Sequence, residues 1–78
     1  MTTTDYQEHL GRIDHQLLKL LRERMAVVES ARGAGEREEE TETLDLWVEE
    51  GEEFGMDPER MEKVVRAVMT LCRQVSEE

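Results

Sequence analysis

The chain has 78 residues, a formal net charge of −10 and one cysteine, with 37% hydrophobic and 38% charged residues. A chain of this length forms one small domain at most, and a self-sufficient core is hard to build at that size. The acidity argues against nucleic-acid or anionic-membrane partners, which require a positive surface. No apolar run could span a bilayer, and the first residues lack the basic and apolar regions of a signal peptide. We therefore expect a cytoplasmic protein, and the lone Cys72 fits a reducing compartment.

The first predicted helix covers about residues 4–32. Its apolar residues recur every three or four positions, which predicts one wide buried stripe. Gly33 and Gly35 are suited to end the helix. About 28 residues at about 1.5 Å each give about 42 Å, which exceeds the diameter of a compact domain of this length. The stripe comprises Leu10, Ile13, Leu17, Leu18, Leu20, Leu21, Met25, Val27, Val28 and Ala31.

The second predicted helix covers about residues 36–53 and holds most of the acidity. The segment from Glu36 to Glu53 has ten acids and one base, Arg37. Apolar residues occur only in its second half, so we expect its first two turns to project from the core or fray. The acidic run fits a solvated helix face, a high-salt cytoplasm or a second protein with a basic surface. It lacks the alternating Asp/Asn and Gly of a calcium loop.

The third predicted helix covers about residues 58–76. Asp57 is a good N-cap and Pro58 suits the first helical position, while Gly55 can take the left-handed conformation that ends the preceding helix. Met56 and Met61 have the spacing of a hydrophobic staple. An apolar stripe follows, formed by Met61, Val64, Val65, Val68, Leu71, Cys72 and Val75.

Three helices and no strand signal predict an all-α fold. The first helix carries apolar residues on more than one side, for example Leu17 and Leu18 together with Leu20 and Leu21. The other two helices, folded as a hairpin, can cover one side only. A two-fold homodimer would cover the rest; a marginal monomeric three-helix bundle is the alternative.

Two charged residues lie on the apolar stripe of the first helix, Asp14 and Arg24. A buried guanidinium must be paired or bind an anion. One interpretation is structural, with these two charges satisfying each other or backbone groups within or between subunits. The other is functional, with Arg24 binding a ligand carboxylate in a helix-lined pocket.

The residues from Ile13 to Met25 resemble the first-helix signature of the all-helical chorismate mutases, Ile-Asp-x-x-Leu-Leu-x-Leu-Leu-x-x-Arg. An acidic second helix opening near Arg37, and the turn from Gly55 to Pro58 before the last helix, follow the same order. The resemblance implies an intertwined homodimeric helical bundle that shares its first helix across the two-fold axis. It also implies conversion of chorismate to prephenate, an isomerase reaction of the shikimate pathway, or a related isochorismate elimination, without cofactor or metal.

The same resemblance locates the family's cationic residues, and several are replaced here. The family's in-motif arginine is Arg24. An arginine seven positions before the motif aspartate falls on Gln7, and a lysine eleven positions after the motif arginine falls on Gly35. The arginine that opens the second helix is Arg37 or, by a strict count, falls on Glu39.

Two further family positions bear on the ligand. By the strict count, Glu40 takes the place of a glutamate that binds a substrate hydroxyl. A glutamine that contacts the ether oxygen falls close to Ser76, with Gln74 half a turn away. Arg32, Arg37 and Gln74 are candidates to replace the missing groups.

The resemblance therefore predicts a chorismate-mutase fold with weak or absent activity, a possible pseudoenzyme. Two substrate carboxylates are costly to desolvate unless each is paired, and a charge of −10 opposes a dianion. A working mutase that recruits Arg12, Arg32 and Arg37 is one alternative. A non-catalytic dimerisation, regulatory or partner-binding module is another.

Two other classes fit less well. A small acidic helical chain suits an acyl carrier, but Thr43 stands nearest to where the carrier serine would be. A nucleophilic enzyme using Cys72 with His9 or His15 lacks a carboxylate to orient the histidine, and Cys72 lies on an apolar stripe, as a small core residue does.

Overall fold

The computed structural model describes the backbone of residues 3–73 and the side chains of residues 5–73. This part of the chain forms α1 (Thr3–Gly33), α2 (Glu40–Glu53) and α3 (Pro58–Arg73), with no strand. The predicted all-α fold of three helices is confirmed. The end of the predicted third helix, including Gln74, lies outside the described residues. In the described range, no helix is both long enough and apolar enough to cross a bilayer.

Gly35 ends the turn that follows α1 and has a φ of +84°. The Gly35 N–H donates to the Arg32 carbonyl at 3.0 Å, and the Glu36 N–H donates to the Ala31 carbonyl at 2.8 Å. This pair of bonds is a Schellman motif, which satisfies the last carbonyls of a helix and requires a left-handed residue. The position that carries a lysine in the resembled family is therefore a turn glycine here.

The start of the second helix differs from the prediction by four residues, since α2 begins at Glu40 rather than near Glu36. Residues 36–39 are non-helical, and Glu39 takes an extended conformation with no side-chain cap. Residues 36–43 include no apolar side chain, so an additional helical turn here would have no contact with the core to stabilise it. The first part of the acidic run is thus a connecting segment.

The turn into α3 follows the prediction. Gly55 has a φ of +82°, and the Met56 N–H donates to the Gly51 carbonyl at 2.8 Å. The Asp57 carboxylate accepts a hydrogen bond of 2.9 Å from the Arg60 N–H, which is the expected N-cap bond. These bonds fix the direction in which α3 leaves α2.

The core is centred on α3, which packs against both other helices, whereas α1 and α2 do not pack on each other in residues 3–73. Val65, Met69 and Cys72 are its buried hydrophobic side chains. The expectation that α2 and α3 together cover one side of α1 is wrong, because α3 is the helix that packs on α1 within residues 3–73. Val64, predicted to lie on the apolar stripe of α3, is exposed.

Much of the apolar stripe of α1 is uncovered in the single chain. Leu21, Met25, Val28 and Ala31 are half-buried on the side that faces α3. Leu18 and Leu20 are 65% and 60% exposed. The uncovered part of the stripe agrees with the expectation that the other two helices cannot bury all of it, and its burial by a second chain stays a prediction. The other exposed large apolar residues of this stripe are Ile13, Leu17 and Val27.

Candidate functional site

Arg24 lies on the α1 stripe where α1, the connecting segment and the end of α3 meet. Its guanidinium forms an ion pair with Glu38 through both terminal nitrogens, Nη2 with Oε2 and Nη1 with Oε1, the latter at 3.4 Å. Nη1 also donates to Cys72 Sγ at 3.0 Å. The two charged side chains are 23% and 16% exposed. Arg24 is therefore a partly buried cation held by a carboxylate and a thiol.

Glu38 is fixed by a second donor, because the Thr43 hydroxyl of α2 donates to Oε2 at 2.8 Å. Burial raises the pKa of Glu38, but the hydrogen bonds from Arg24 and Thr43 and the charges of Arg24 and Arg73 lower it by more. Burial likewise lowers the pKa of Arg24, and the bonds to Glu38 and Cys72 outweigh that effect and raise it. Both groups are charged at neutral pH.

This pairing corrects the expectation that Asp14 satisfies Arg24 within one chain, whereas a contact of Asp14 with a second subunit stays a prediction. Asp14 is exposed in the single chain. Ten residues of helix separate it from Arg24, or about 15 Å along the axis. Two charges on one face of a helix meet only when they are three or four residues apart, so Arg24 is satisfied by the connecting segment instead.

A pocket of about 550 Å³ lies beside the ion pair. From α1 it is lined by Val28 and Arg32, and from the connecting segment by Glu36, Arg37 and Glu38. Glu40 of α2 and Arg73 of α3 complete the lining. The volume is in the usual range of small-molecule sites, about 300–1,000 Å³.

The arginines of this pocket differ in how they are paired. Arg73 forms an ion pair with Glu40. Arg32 and Arg37 are exposed, and neither makes an ion pair or side-chain hydrogen bond with any described residue. Two guanidinium groups are thus available for an anion, since guanidinium forks match the geometry of carboxylates.

The sequence-based candidates divide into three groups. Arg32, Arg37 and Glu40 line the pocket together. Arg24 does not line it, but its ion-pair partner Glu38 does. Gln7 is exposed on α1, about 25 Å along the helix from Arg24, so it does not reach this pocket within one chain. Gln74 lies outside the described residues.

Three charged residues of the pocket, Glu36, Glu38 and Arg73, were not among the candidates from the sequence. The burial of Arg24 signalled that it needed a counter-ion, but four glutamates near the connecting segment were equally plausible partners. Which of these glutamates reaches Arg24 depends on the turn at Gly35 and on the extended backbone at Glu39, and the sequence did not specify either conformation. Arg73 is the last residue of α3, and its position next to Cys72 is the one feature of the sequence that could have pointed to it.

The described histidine, cysteine, aspartate and glutamate side chains form no group of three that could hold a metal ion. The chemistry at hand is that of ion pairing and hydrogen bonding, through Arg32, Arg37 and Arg73 on one side and Glu36, Glu38 and Glu40 on the other. This arrangement suits a small ligand that carries both anionic groups and hydroxyls.

Fold and site together define a class, a three-helix protein with an arginine-lined pocket at one end of its long helix. The sequence model of the chorismate mutase type II family matches residues 6–77. The chain belongs to this family. Comparison with curated proteins gave no significant match, and neither did comparison with solved structures.

Proposed function

We propose that this chain is a weak chorismate mutase that binds chorismate in the pocket lined by Arg32 and Arg37. Family membership supports the reaction. The observation that carries the location is the presence, in one pocket of suitable size, of two guanidinium groups that form no ion pair with any residue in the described part of the chain. Chorismate has two carboxylates, and each needs a cationic partner when it leaves water.

The reaction type sets what the pocket must do. A [3,3] rearrangement of chorismate needs no covalent intermediate and no general acid. The protein contributes by holding the dianion in a compact conformation and by placing donors where negative charge develops on the ether oxygen. Arg32 and Arg37 would pair the carboxylates, and Glu40 would accept a hydrogen bond from the substrate hydroxyl.

The charge arrangement supports weak activity. Three arginines and three glutamates line the pocket, so its formal charge is balanced rather than positive. Arg24 and Arg73 are held by Glu38 and Glu40. The net charge of −10 also slows the approach of a dianion.

A homodimer is part of this proposal. The large apolar residues exposed on α1 need cover, and a second copy of the chain is the simplest closed solution. In a two-fold arrangement, a second α1 running antiparallel would bring its own Gln7 toward this pocket. The assembly would thereby add a hydrogen-bonding amide that one chain does not supply there.

The second candidate function is a non-catalytic module that dimerises and binds or regulates another protein. The ion pairs of Arg24 and Arg73 favour it, since they leave the pocket self-neutralised. The exposed acidic residues of α2 would then face a partner with a basic surface. In this case the pocket would be a remnant of the family's site.

The two functions are separated by measuring prephenate formation with the purified protein. We expect turnover above the uncatalysed rate but below about 1 s⁻¹, the low end of typical enzymes. Arg37→Ala should lower it by at least about tenfold, because an unpaired carboxylate costs more than 1.4 kcal/mol. Arg60→Ala is the matched control, since it removes an exposed arginine of α3 that does not line the pocket. Turnover indistinguishable from the uncatalysed rate would favour the non-catalytic module.

A further inference from the structure

Arg24 already has a carboxylate partner in the ligand-free chain. Glu38 contacts it through both oxygens, and one of these oxygens also accepts from Thr43. This is the bidentate arrangement in which arginines recognise carboxylate ligands. The carboxylate of Glu38 therefore binds the guanidinium of Arg24 in the way that the carboxylate of a ligand would.

The position of Glu38 relative to the pocket matters as much as the pairing. Glu38 lines the pocket and Arg24 does not. A ligand carboxylate that enters the pocket meets the side chain of Glu38 before it can reach the guanidinium. Arg24 becomes available only if Glu38 moves away.

The segment that carries Glu38 is suited to such a movement. Residues 36–39 are non-helical, and Glu36, Arg37 and Glu39 are exposed. Glu38 is half-buried, and its side chain attaches this segment to the rest of the fold. Glu40, by contrast, is part of α2. Displacing Glu38 breaks its bonds to Arg24 and Thr43 without unfolding a helix.

We propose that Glu38 is an internal competitor that keeps Arg24 from substrate carboxylates and so holds the pocket in a low-affinity state. The inference rests on the proposed function for the identity of the ligand, but the competition itself applies to any carboxylate. If the Glu38-bound state is about 90% populated, apparent affinity is about tenfold below the intrinsic value. Removing the charge of Glu38 should therefore raise the apparent affinity by about tenfold, to the intrinsic value.

The test measures the dissociation constants of chorismate and of malate, a simple dicarboxylate, by calorimetry. Glu38→Gln should bind about tenfold more tightly than the wild type. Glu39→Gln is the matched control: it removes the same charge from the same segment, but Glu39 does not line the pocket. Its affinities should stay within about twofold of the wild type. Thr43→Val, which alters no charge, should give a smaller gain in the same direction, and thermal unfolding confirms that each variant is folded.

The outcomes separate this inference from the proposed function. Tighter malate binding by Glu38→Gln, with no chorismate binding by any variant, supports the competition and removes chorismate as the ligand. Equal affinities for Glu38→Gln and Glu39→Gln overturn the competition even if chorismate binds. Weaker binding by Glu38→Gln, or no binding of either probe to it, also overturns the inference, because freeing Arg24 would then create no carboxylate site.

Discussion

At the scale of single residues, Arg24 shows how a cation on an apolar stripe is accommodated. Its side chain is about three-quarters covered, and its guanidinium is satisfied by Glu38 and Cys72. A partly buried pair of this kind is costly to break from one side, because the remaining charge is left without a partner. The pair therefore ties the connecting segment to α1 and the end of α3.

The first prediction concerns this pair and pH. The pKa of Glu38 is lowered by Arg24 and Thr43 against the effect of burial, so its ionised form stabilises the folded state. That stabilisation is present above the unfolded pKa and is lost as the pH falls through the lower folded value. Glu38→Gln should lower the free energy of unfolding by about 1–2 kcal/mol at pH 7.

Urea unfolding at fixed protein concentration measures this difference across pH. It should shrink as the pH falls below about 4.3, the ordinary pKa of glutamate, because the unfolded state is protonated there first and the folded state follows at lower pH. Glu39→Gln, an exposed residue of the same segment, should show little change at pH 7. A difference for Glu38→Gln that stays constant from pH 7 to pH 3 would contradict the ionic role of Glu38.

At the scale of elements, the two turns decide where the functional groups lie. Gly35 and Gly55 both adopt left-handed conformations that close Schellman motifs. The first turn directs the connecting segment across the end of α1, which places Glu38 against Arg24. The second turn starts α3, whose last residues bring Cys72 and Arg73 to the same end.

The second prediction compares two glycines that have no neighbouring atoms to obstruct a methyl group. Gly55→Ala should destabilise the fold by about 1–2 kcal/mol, because a side chain is strained at positive φ. Gly33→Ala should be neutral or slightly stabilising, since Gly33 is helical and alanine favours helix. Both sites are open in space, so only the backbone conformation differs. Equal shifts in Tm for the two variants would contradict this account.

At the scale of the whole molecule, one chain leaves its longest helix half covered. The structure extends 49 Å in its longest direction, and α1 alone accounts for about 46 Å of helix. Leu17, Leu18 and Leu20 are all more than half exposed. An apolar surface of this kind is typical of an interface with another chain.

The third prediction is that the protein is a dimer in solution with about twice the 9.1 kDa mass of one chain. Leu20→Glu should shift the mass toward one chain, because it places a charge in the apolar contact. Ala26→Glu introduces the same charge at an exposed residue of the same helix, about 120° around the helix from Leu20, and should leave the mass unaltered. Light scattering after size exclusion gives both values, and a wild-type monomer at micromolar concentration would contradict the dimer.

The sequence predicted the fold well because its signals are local. Asp57, Pro58 and Gly55 act through neighbouring backbone groups, and their roles are confirmed. The family was also recognised, because the motif from Ile13 to Arg24 is contiguous. Such features need no knowledge of how the helices meet.

The site was harder to predict because it depends on contacts between distant segments. Arg24 and Cys72 are 48 positions apart, and nothing in their spacing indicates a contact. The late start of α2 was missed since acidic residues favour both a helix N-terminus and an exposed segment. The choice between them decides whether Glu38 can turn toward Arg24.

The measurement that tests the central claim most directly is chorismate binding by the purified wild-type protein, Arg37→Ala and Arg60→Ala. The claim is that the arginine-lined pocket at the end of α1 holds the ligand. Calorimetry should show binding to the wild type and to Arg60→Ala with similar affinity. Arg37→Ala should bind at least about tenfold more weakly, through the loss of a charge-assisted hydrogen bond. Equal affinities for all three proteins, or no binding to any of them, would contradict the claim.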